Sequence, residues 1–350
     1  MNLEDLIHQT GEWLKGTGPQ SHIVMSSRVR LARNLDKIPF PARANRKDLA
    51  EVFSVIEQAI HSNEYFKNTV LLKINEMDNL DRQFLIERHL MSHDHAASGE
   101  GKAIVVSEEE ILSIMINEED HLRIQVMQSG FNLFETWKII SMIDDFLSEK
   151  ICYAFRKDWG YLTACPTNTG TGIRGSVMLH LPALVMTKQI NKVLEAIAKL
   201  SFASRGFYGE GTQAIGNFFQ ISNQVSLGHS EEDILQNING LVKQIVEQEE
   251  QARQALLVQN KAILEDKICR SLGILKNAHI ISSQETVDLL SMVRLGIDLG
   301  IVKDVSTQSI NELFIMIQPA HLQKIEGKKL GASERDTKRA ELIRQKLEKL

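Results

Sequence analysis

The chain has 350 residues and a mass of 39.5 kDa, enough for two domains, because a single hydrophobic core usually stops growing beyond about 250 residues. Hydrophobic residues make up 43% and charged residues 24% of the chain, values typical of globular proteins, which excludes a disordered or fibrous protein. The formal charge of -5 excludes a general nucleic-acid coat, since such proteins carry an excess of Lys and Arg.

Three widely spaced cysteines, Cys152, Cys165 and Cys269, fit neither a disulfide framework nor a metal knuckle. The first residues are acidic and amphipathic and lack the basic flank and apolar centre of an export signal. The longest apolar stretches, such as residues 111–116, are too short for a membrane span. We therefore expect a soluble, cytoplasmic protein with no membrane partner.

Hydrophobic periodicity predicts helices over residues 47–61 and 80–91, followed by three short β-rich runs. These runs are predicted to be neighbouring antiparallel strands: residues 102–107, 111–117 and 121–128. A helix over residues 133–146 and another over residues 182–200 are also predicted. The remaining candidate strands are residues 160–165, 176–180, 203–207 and 218–227.

The composition changes at Ser230, which has the form of a helix N-cap followed by acidic residues. A polar helical pattern then runs to about residue 267, and the remainder is mainly helical. With strands confined to the first two-thirds, the sequence predicts an α+β domain over residues 1–255 and an all-helical domain over residues 256–350.

One glycine motif is misleading. Residues 170–175 match GxGxxG literally, but the following SVMLHLP reads as a strand, where a dinucleotide-binding turn must open a helix. Neither a GxxxxGK[ST] loop nor the HRD and DFG signatures of protein kinases occur. If ATP binds, other residues must hold its phosphates.

Arginines and carboxylates recur in two polar segments. In SSRVRLARN, residues 26–34, Arg28 and Arg30 share a face if the backbone is extended, and guanidinium forks suit phosphate oxygens. In NEEDHLR, residues 117–123, four polar residues between two strands predict a hairpin turn, followed by Arg123. Taken singly, a solvated basic strand and an ordinary turn remain alternative interpretations.

Two further segments complete a pattern: CPTNTGTGIR at residues 165–174 and RGFYGEG at residues 205–211. Together the four segments resemble the phosphagen (guanidino) kinases, the family of creatine and arginine kinases, whose signatures include SSRVR, NEEDH, CP[ST]N.GT and RG..G. The resemblance covers residues 20–250. It implies an antiparallel sheet flanked by helices, and a kinase that uses ATP and Mg²⁺.

The resemblance also implies roles for the residues that match these motifs. The arginines expected around the ATP phosphates are Arg28, Arg30, Arg123, Arg174 and Arg205. Ser27 joins them in the nucleotide site, magnesium bridges the phosphate oxygens without a dedicated protein metal site, and His89 neighbours the adenine. A structural role remains the alternative for His89, since a lone helical histidine often has one.

The acceptor of the family is a guanidinium, whose pKa above about 12 makes its nitrogen a poor nucleophile until a proton is removed or shared. The family match implies Glu119 as the base, with Glu118 the open alternative, and Glu210 as an acceptor of the other N–H groups. Cys165 is expected beside the guanidinium, where the positive charge depresses the pKa of the thiol. Its alternative is a small buried hydrophobe.

Two departures from the small-substrate enzymes indicate a protein acceptor. Only 25 residues precede Ser26, fewer than in creatine and arginine kinases, and a helical extension follows residue 255. Over its whole length the chain resembles the McsB-type protein arginine kinases of bacteria. That likeness implies a homodimer that marks proteins for a Clp ATPase and protease, modifies the stress repressor CtsR and is stimulated by the activator McsA.

In the extension, Arg335, Asp336 and Arg339 fit the RDxxRA pattern that in these kinases forms a second, allosteric phosphoarginine site. The alternative is a capped, charged helix beginning with Ser333 and Asp336. Two rival functions also remain open: a kinase for a small guanidine such as free arginine, and a non-catalytic adaptor of a repressor or chaperone.

Overall fold

An eight-stranded antiparallel sheet forms the centre of the chain in a computed structural model, which describes residues 3–97, 99–206 and 215–348. The strand order is β2-β3-β4-β5-β1-β8-β10-β9, and β6 and β7 form a separate hairpin. The strands are β1 Val24–Arg33, β2 Thr69–Lys73, β3 Ala103–Ser107, β4 Leu112–Ile116, β5 Leu122–Ser129, β6 Phe155–Arg156, β7 Gly160–Tyr161, β8 Ile173–His180, β9 Phe202–Gly206 and β10 Phe218–Asn223.

Helices cover one face of this sheet and, over β3 and β4, part of the other, and they make up the C-terminal third of the chain. They are α1 Asp5–His8, α2 Arg46–His61, α3 Asn79–Glu87, α4 His93–Ala96, α5 Leu133–Ser148, α6 Pro182–Met186, α7 Ile190–Lys199, α8 Glu231–Gln259, α9 Lys261–Asn277, α10 Ser283–Asp298, α11 Thr307–Met316, α12 Pro319–Glu326 and α13 Ala332–Glu348. Short 3₁₀ turns lie at Glu12–Leu14, Glu64–Phe66, Ile74–Glu76, Pro166–Asn168 and Ile215–Asn217.

Strand β1 is central, and its alternating side chains divide between two environments. Val29 and Leu31 point into the core, where α5 packs against the sheet, and both are fully buried. Arg28 and Arg30 point to the opposite face, so the strand confirms the prediction that they lie on the same side. The side chains on one face of β1 therefore pack in the core, and those on the other face are available to a ligand.

Helix α8 packs closely against strand β8 on the core face. A Cβ atom on Gly175 would lie 2.7 Å from Ile238 Cδ1, which is closer than carbon atoms approach in proteins. Glycine at this position therefore allows the close approach of helix and strand. This is the packing role of the last glycine in the GxGxxG-like sequence, and the strand after it confirms that no dinucleotide-binding turn is present.

Hydrogen bonds from buried, ion-paired arginines attach the C-terminal helices to the sheet domain. The fully buried Arg294 of α10 donates to Ser21 O (2.6 Å) and to His180 Nδ1 (2.9 Å). Arg253 of α8 bonds to Glu249 (2.9 Å) and to Asp298 (3.3 Å). Because a buried charge is costly unless it is paired, these contacts require the C-terminal helices to be docked on the segment before β1.

The predicted antiparallel arrangement of three neighbouring strands is confirmed, since β3 pairs with β4 and β4 with β5. Strand β2 was not predicted, because its apolar run, Val70 to Leu72, is only three residues long. The helix predicted over residues 80–91 ends at Glu87, where Arg88 caps it and His89 adopts a φ of 59°. None of the helices in the described ranges is long and apolar enough to cross a membrane.

Three other predicted elements have different bounds. The helix over residues 182–200 is two helices, α6 and α7, because Lys188 between them has a φ of 58°. The strand over residues 160–165 is only two residues long, Gly160–Tyr161, and a 3₁₀ turn follows at Pro166. The helix from Ser230 breaks at Asn260, which lies between α8 and α9.

Candidate active site

A cleft of about 830 Å³ lies over the face of the sheet opposite helices α5 and α8. Five of the predicted phosphate-binding residues line it, supplied by strands β1, β5, β8 and β9: Arg28, Arg30, Arg123, Arg174 and Arg205. Strand pairing sets their spacing, because Arg30 lies directly opposite Arg174 in β8 and next to Gln125 in β5. The sheet therefore gathers arginines that are far apart in sequence.

Neutral side chains hold Arg28 in place. Its Nη2 donates to Gln220 Oε1 (2.7 Å), its Nη1 to Gln125 Oε1 (3.5 Å) and its Nε to Ser176 Oγ (3.4 Å). None of these partners neutralises the guanidinium. Burial, followed by the charges of neighbouring arginines, lowers the pKa of Arg28 to about 9.

Arg30 is a buried cation in the cleft, and the described residues do not satisfy all of its hydrogen-bond donors. It is buried, and its Nε and Nη2 atoms have no hydrogen-bond partner in the part of the chain that the structure describes. Burial and then the charges of Arg28 and three further arginines lower its pKa well below the usual value. Unpaired buried donors are rare and costly, so this site favours an anion with several oxygens, such as a polyphosphate.

The two glutamates of the β4–β5 turn have different environments. Glu118 accepts from Arg123 Nη1 at both carboxylate oxygens (2.6 and 2.8 Å) and from Ser92 Oγ. Burial alone would raise its pKa, but the charge of Arg123 and these hydrogen bonds lower it. Glu118 is therefore occupied in orienting an arginine.

Glu119 stands at the exposed rim of the same cleft. Partial loss of hydration, and then the negative charges of Asp120 and Glu118, raise the pKa of its carboxyl group. A raised pKa makes a carboxylate a stronger base. Of the two glutamates, Glu119 is thus the exposed one, whereas Glu118 is bound to Arg123, and the assignment of Glu119 as the base stays a prediction.

Asp120 connects the β4–β5 turn to the loop that begins at Cys165. Its Oδ1 accepts from Asn34 Nδ2 (2.6 Å) and from Ala164 N (2.7 Å). Cys165 is partly exposed, and its Sγ lies 3.0 Å from Thr167 Oγ1. From this loop Asn168 lines the cleft, so Cys165 lies beside the cleft at the start of one of its walls.

Ser27 and Cys165 are not among the residues that line the cleft. Ser27 lies on the opposite face of β1, because side chains alternate along a strand, and its hydroxyl bonds to Gly130 O (2.9 Å) within the core. Its side chain therefore faces the core, and a role of Ser27 in the nucleotide site stays a prediction. Glu210 lies outside the described residues.

His89 lines the cleft, with its ring edge-on to Trp13 at a centroid distance of 5.4 Å. Burial, followed by the charges of Arg28 and His93, lowers its pKa to about 3, so the ring is neutral. A neutral, partly apolar ring suits contact with a base better than contact with phosphate.

Sequence reasoning missed the polar residues that hold the arginines. Gln125 and Gln220 interrupt apolar strands with the same two-residue alternation as the arginines beside them. Ser92, which binds Glu118, caps the short helix α4 and has no motif around it. The glutamines carried a usable signal, and the serine did not.

The RDxxRA residues lie together on α13, but with unequal exposure. Arg339 is 1% exposed and donates to Ile281 O (2.8 Å), Ile317 O (3.0 Å) and Asp336 Oδ1 (2.5 Å). Arg335 and Asp336 are only half-buried. The motif therefore combines one arginine fixed in the structure with two side chains accessible to a ligand.

Glu87 lies between this motif and the cleft. It lines the cleft, and its carboxylate accepts from the backbone N–H groups of Ala320 (2.8 Å) and His321 (2.9 Å) at the start of α12. Burial raises its pKa to about 7, against the effect of these hydrogen bonds and of Arg335 and Arg339. One carboxylate therefore contacts both the cleft and the C-terminal helices.

Carboxylates line the cleft, where a magnesium ion would arrive with a nucleotide. The described residues include no group of three or more side chains that could ligate a metal. Mg²⁺ commonly retains waters and binds through substrate phosphates and one or two carboxylates. Asp94, one of the carboxylates that line the cleft, could assist.

Comparisons with known proteins agree with this geometry. A family model described as the ATP:guanido phosphotransferase C-terminal catalytic domain matches residues 51–252, and one described as the protein-arginine kinase McsB C-terminal domain matches residues 261–350. The chain is 50% identical over 348 residues to a protein-arginine kinase of Halothermothrix orenii, covering 99% of each. It is 46% identical over 350 residues to a protein-arginine kinase of Bacillus subtilis, covering 99% of this chain and 96% of the relative.

Solved structures give the same result for the fold. A lombricine kinase superposes with a TM-score of 0.60 at 25% identity, over 69% of this chain and 71% of that one. The duplicated taurocyamine kinase of Schistosoma mansoni superposes with a TM-score of 0.61 at 27% identity, over 69% of this chain and 34% of that one. Fold and cleft together define an ATP-using guanidino phosphotransferase.

The C-terminal helices and the full-length relatives decide which family of that class the chain belongs to. The lombricine and taurocyamine kinases match 69% of the chain, whereas the two curated relatives match 99% of it. The chain belongs to the protein-arginine kinase family.

Proposed function

We propose that this chain transfers the γ-phosphoryl group of ATP to a guanidinium nitrogen of arginine side chains in proteins. Five arginines around one cleft supply the positive charge that phosphoryl transfer requires, and single arginines contribute about 10³ to 10⁵ in rate in other phosphoryl-transfer enzymes. The observation that carries the proposal is the buried Arg30, whose Nε and Nη2 atoms lack a partner among the described residues.

In the proposed reaction Glu119 accepts one proton from the guanidinium. The freed nitrogen lone pair forms the new N–P bond, while the bond between the γ-phosphorus and the β–γ bridging oxygen breaks and its electron pair leaves with ADP. Arg28, Arg30 and Arg174 neutralise the phosphate oxygens during the transfer. Mg²⁺ supplies further neutralisation when it is bound with the nucleotide.

The remaining groups of the site are proposed to bind and orient. Glu118 holds Arg123 in position through its two hydrogen bonds. Glu210 is proposed to accept the other N–H groups of the acceptor, and Cys165 to lie against it, as the family resemblance implies. His89 is proposed to contact the adenine, which its neutral ring at the cleft wall supports.

A second site for phosphoarginine is proposed at Arg335 and Asp336, with Arg339 fixing the carboxylate. The half-buried positions of the first two residues and the bond from Arg339 to Asp336 support this arrangement.

We further propose a division near residue 255 into a catalytic and a helical domain, supported by family matches that end at residue 252 and resume at residue 261.

The cellular role is proposed from the family resemblance. Phosphorylated proteins would be directed to a Clp ATPase and protease in the cytoplasm, the repressor CtsR would be inactivated, McsA would activate the kinase, and the active form would be a homodimer. Full-length identity of 46% to 50% with protein-arginine kinases supports this role.

Mass spectrometry can test the reaction directly. The chain is incubated with ATP, Mg²⁺ and a disordered protein such as casein, and peptides are searched for acid-labile phosphoarginine. Free arginine replaces casein in a parallel reaction that measures ATP consumption. Phosphoarginine on casein supports the proposal, whereas rapid turnover with free arginine alone supports a small-guanidine kinase. Absence of transfer to both would support the adaptor function.

A further inference from the structure

An exposed aromatic hairpin stands beside the catalytic cleft. Strands β6 and β7 form it, with Phe155 opposite Tyr161 in the pairing. Phe155 and Trp159 are 55% and 57% exposed, high values for large apolar side chains, and Leu227 nearby is 40% exposed. A cluster of exposed apolar side chains of this kind often marks a binding surface.

The hairpin borders a groove of about 290 Å³, close to the lower end of the volumes (about 300 to 1,000 Å³) of small-ligand pockets. Trp159, Tyr161 and Leu227 supply apolar walls, and Asp158 and Glu231 supply the acidic charges that line it. No Lys or Arg is among its lining residues in the described ranges. The groove therefore suits the stem and the charged head of a basic side chain.

One wall separates the groove from the cleft. Asn168 and Gly172 line the cleft, whereas Gly170 and Thr171 between them line the groove. The hairpin is bonded to this wall, since Tyr161 N donates to Gly170 O (2.7 Å). Because Thr171 lines the groove and the adjacent Gly172 lines the cleft, an extended peptide, which advances about 3.3 to 3.6 Å per residue, can cross this wall within a few residues.

We propose that this groove docks an extended segment of the protein substrate, placing a lysine or arginine about three to five residues from the target arginine against Trp159 and Asp158. The inference rests on the proposed function, because it assumes an arginine of a protein in the cleft. Continuity with the cleft favours a substrate segment. A second copy of this chain is less suited, since each copy carries a net charge of -5 and the groove is also acidic.

Synthetic peptides with one arginine test this docking. One peptide has lysines three to five residues on both sides of the arginine, a second has glutamates there, and a third has only Gly and Ser. The lysine peptide is expected to show a KM at least about fivefold below that of the Gly/Ser peptide, and the glutamate peptide a higher KM, with similar kcat.

Variants then locate the effect. In Trp159→Ala and Asp158→Lys the preference for lysine is expected to fall to within about twofold, while kinetics with the Gly/Ser peptide stay unchanged. Phe134→Ala, which truncates an aromatic residue exposed on α5, is the matched control and should keep the full preference.

An equal preference in Trp159→Ala and the wild type would overturn the proposal. A change of molecular mass in light scattering without a change in KM would also overturn it, since the surface would then join two copies of the chain.

Peptide binding to the Glu119→Gln variant separates this inference from the proposed function. Binding of the lysine peptide that is weakened by Trp159→Ala supports docking even if no phosphoarginine forms on any peptide. Transfer to all three peptides with equal KM would support the proposed function and overturn the docking groove.

Discussion

Arg30 of β1 and Arg174 of β8 are direct partners in the antiparallel pairing, so two guanidinium groups leave the same face of the sheet side by side. Like charges in this arrangement destabilise a sheet. The fold tolerates this cost at the point where the cleft has its highest positive charge. At these two positions the positive charge that favours phosphate binding therefore lowers the stability of the ligand-free protein.

Replacing Arg30 with methionine is expected to stabilise the ligand-free protein by about 1 to 3 kcal/mol, because an unpaired buried charge is exchanged for an apolar side chain. The same change should abolish the rise in melting temperature that Mg²⁺ and ADP give the wild type. Thermal unfolding with and without nucleotide measures both effects. Arg46→Met, at an exposed arginine paired with Glu100, is the control. A normal nucleotide shift in Arg30→Met would contradict the assignment.

The two glutamates of the turn can be distinguished by kinetics. Glu119→Gln should lower kcat by about 10² to 10⁴ while leaving nucleotide affinity near normal, since it removes the base. Glu118→Gln should mainly raise the KM for ATP, because Arg123 loses the carboxylate that orients it. Initial rates at varied ATP concentrations test this, and exchange of the two phenotypes would reverse the assignment.

Activity should fall on the acid side at a higher pH than an ordinary glutamate would give. The pKa of Glu119 is raised by partial burial and by neighbouring carboxylates, and only the ionised form accepts a proton. A bound guanidinium stabilises that form. The acid limb of kcat/KM, which reports the free enzyme, should therefore lie at higher pH than the acid limb of kcat. Coincident limbs would indicate another titrating group.

Glu87 should make stability depend on pH near neutrality. Its pKa is about 7 in the folded chain against about 4.3 when unfolded, so the unfolded chain ionises first as pH rises. The stability of the wild type relative to Glu87→Gln should therefore decrease from about pH 4 to about pH 7, the range between the two pKa values. Urea unfolding at several pH values measures this difference, and a constant difference would contradict the raised pKa.

The RDxxRA motif should divide into a ligand-binding part and a structural part. Arg335→Ala is expected to weaken phosphoarginine binding with little loss of stability, since its side chain is half-buried. Arg339→Ala should destabilise the chain by about 2 to 4 kcal/mol, because it removes bonds to two buried carbonyl groups and to Asp336. Calorimetric titration with phosphoarginine and urea unfolding give the two readouts. If both variants lost the same amount of stability, the motif would have a structural role only.

Much of the cleft followed from sequence because its arginines lie in short motifs on strands with regular alternation. Arg28 and Arg30 were placed on one face correctly, since period-two spacing decides which face a side chain occupies, whereas Arg123 was placed by the family resemblance. The same rule, applied to Ser27, puts its side chain on the core face, which the structure shows.

Other features depend on contacts between distant segments. The bond of Glu87 to the start of α12 joins residues more than two hundred positions apart, and no local pattern announces it. Positive φ angles at His89 and Lys188 end helices that periodicity alone would continue. Such features are decided by packing of the whole chain.

Strand β1 has a consequence for how this chain can vary. Its even-numbered positions 28 and 30 carry the cleft arginines, and its odd-numbered positions 27, 29 and 31 are wholly buried in the core. Within these five residues no side chain is simply solvent-exposed, so each replacement alters either the ligand site or the interior. A complete substitution scan should find two interleaved classes here, one losing activity in folded protein and one losing the folded protein itself.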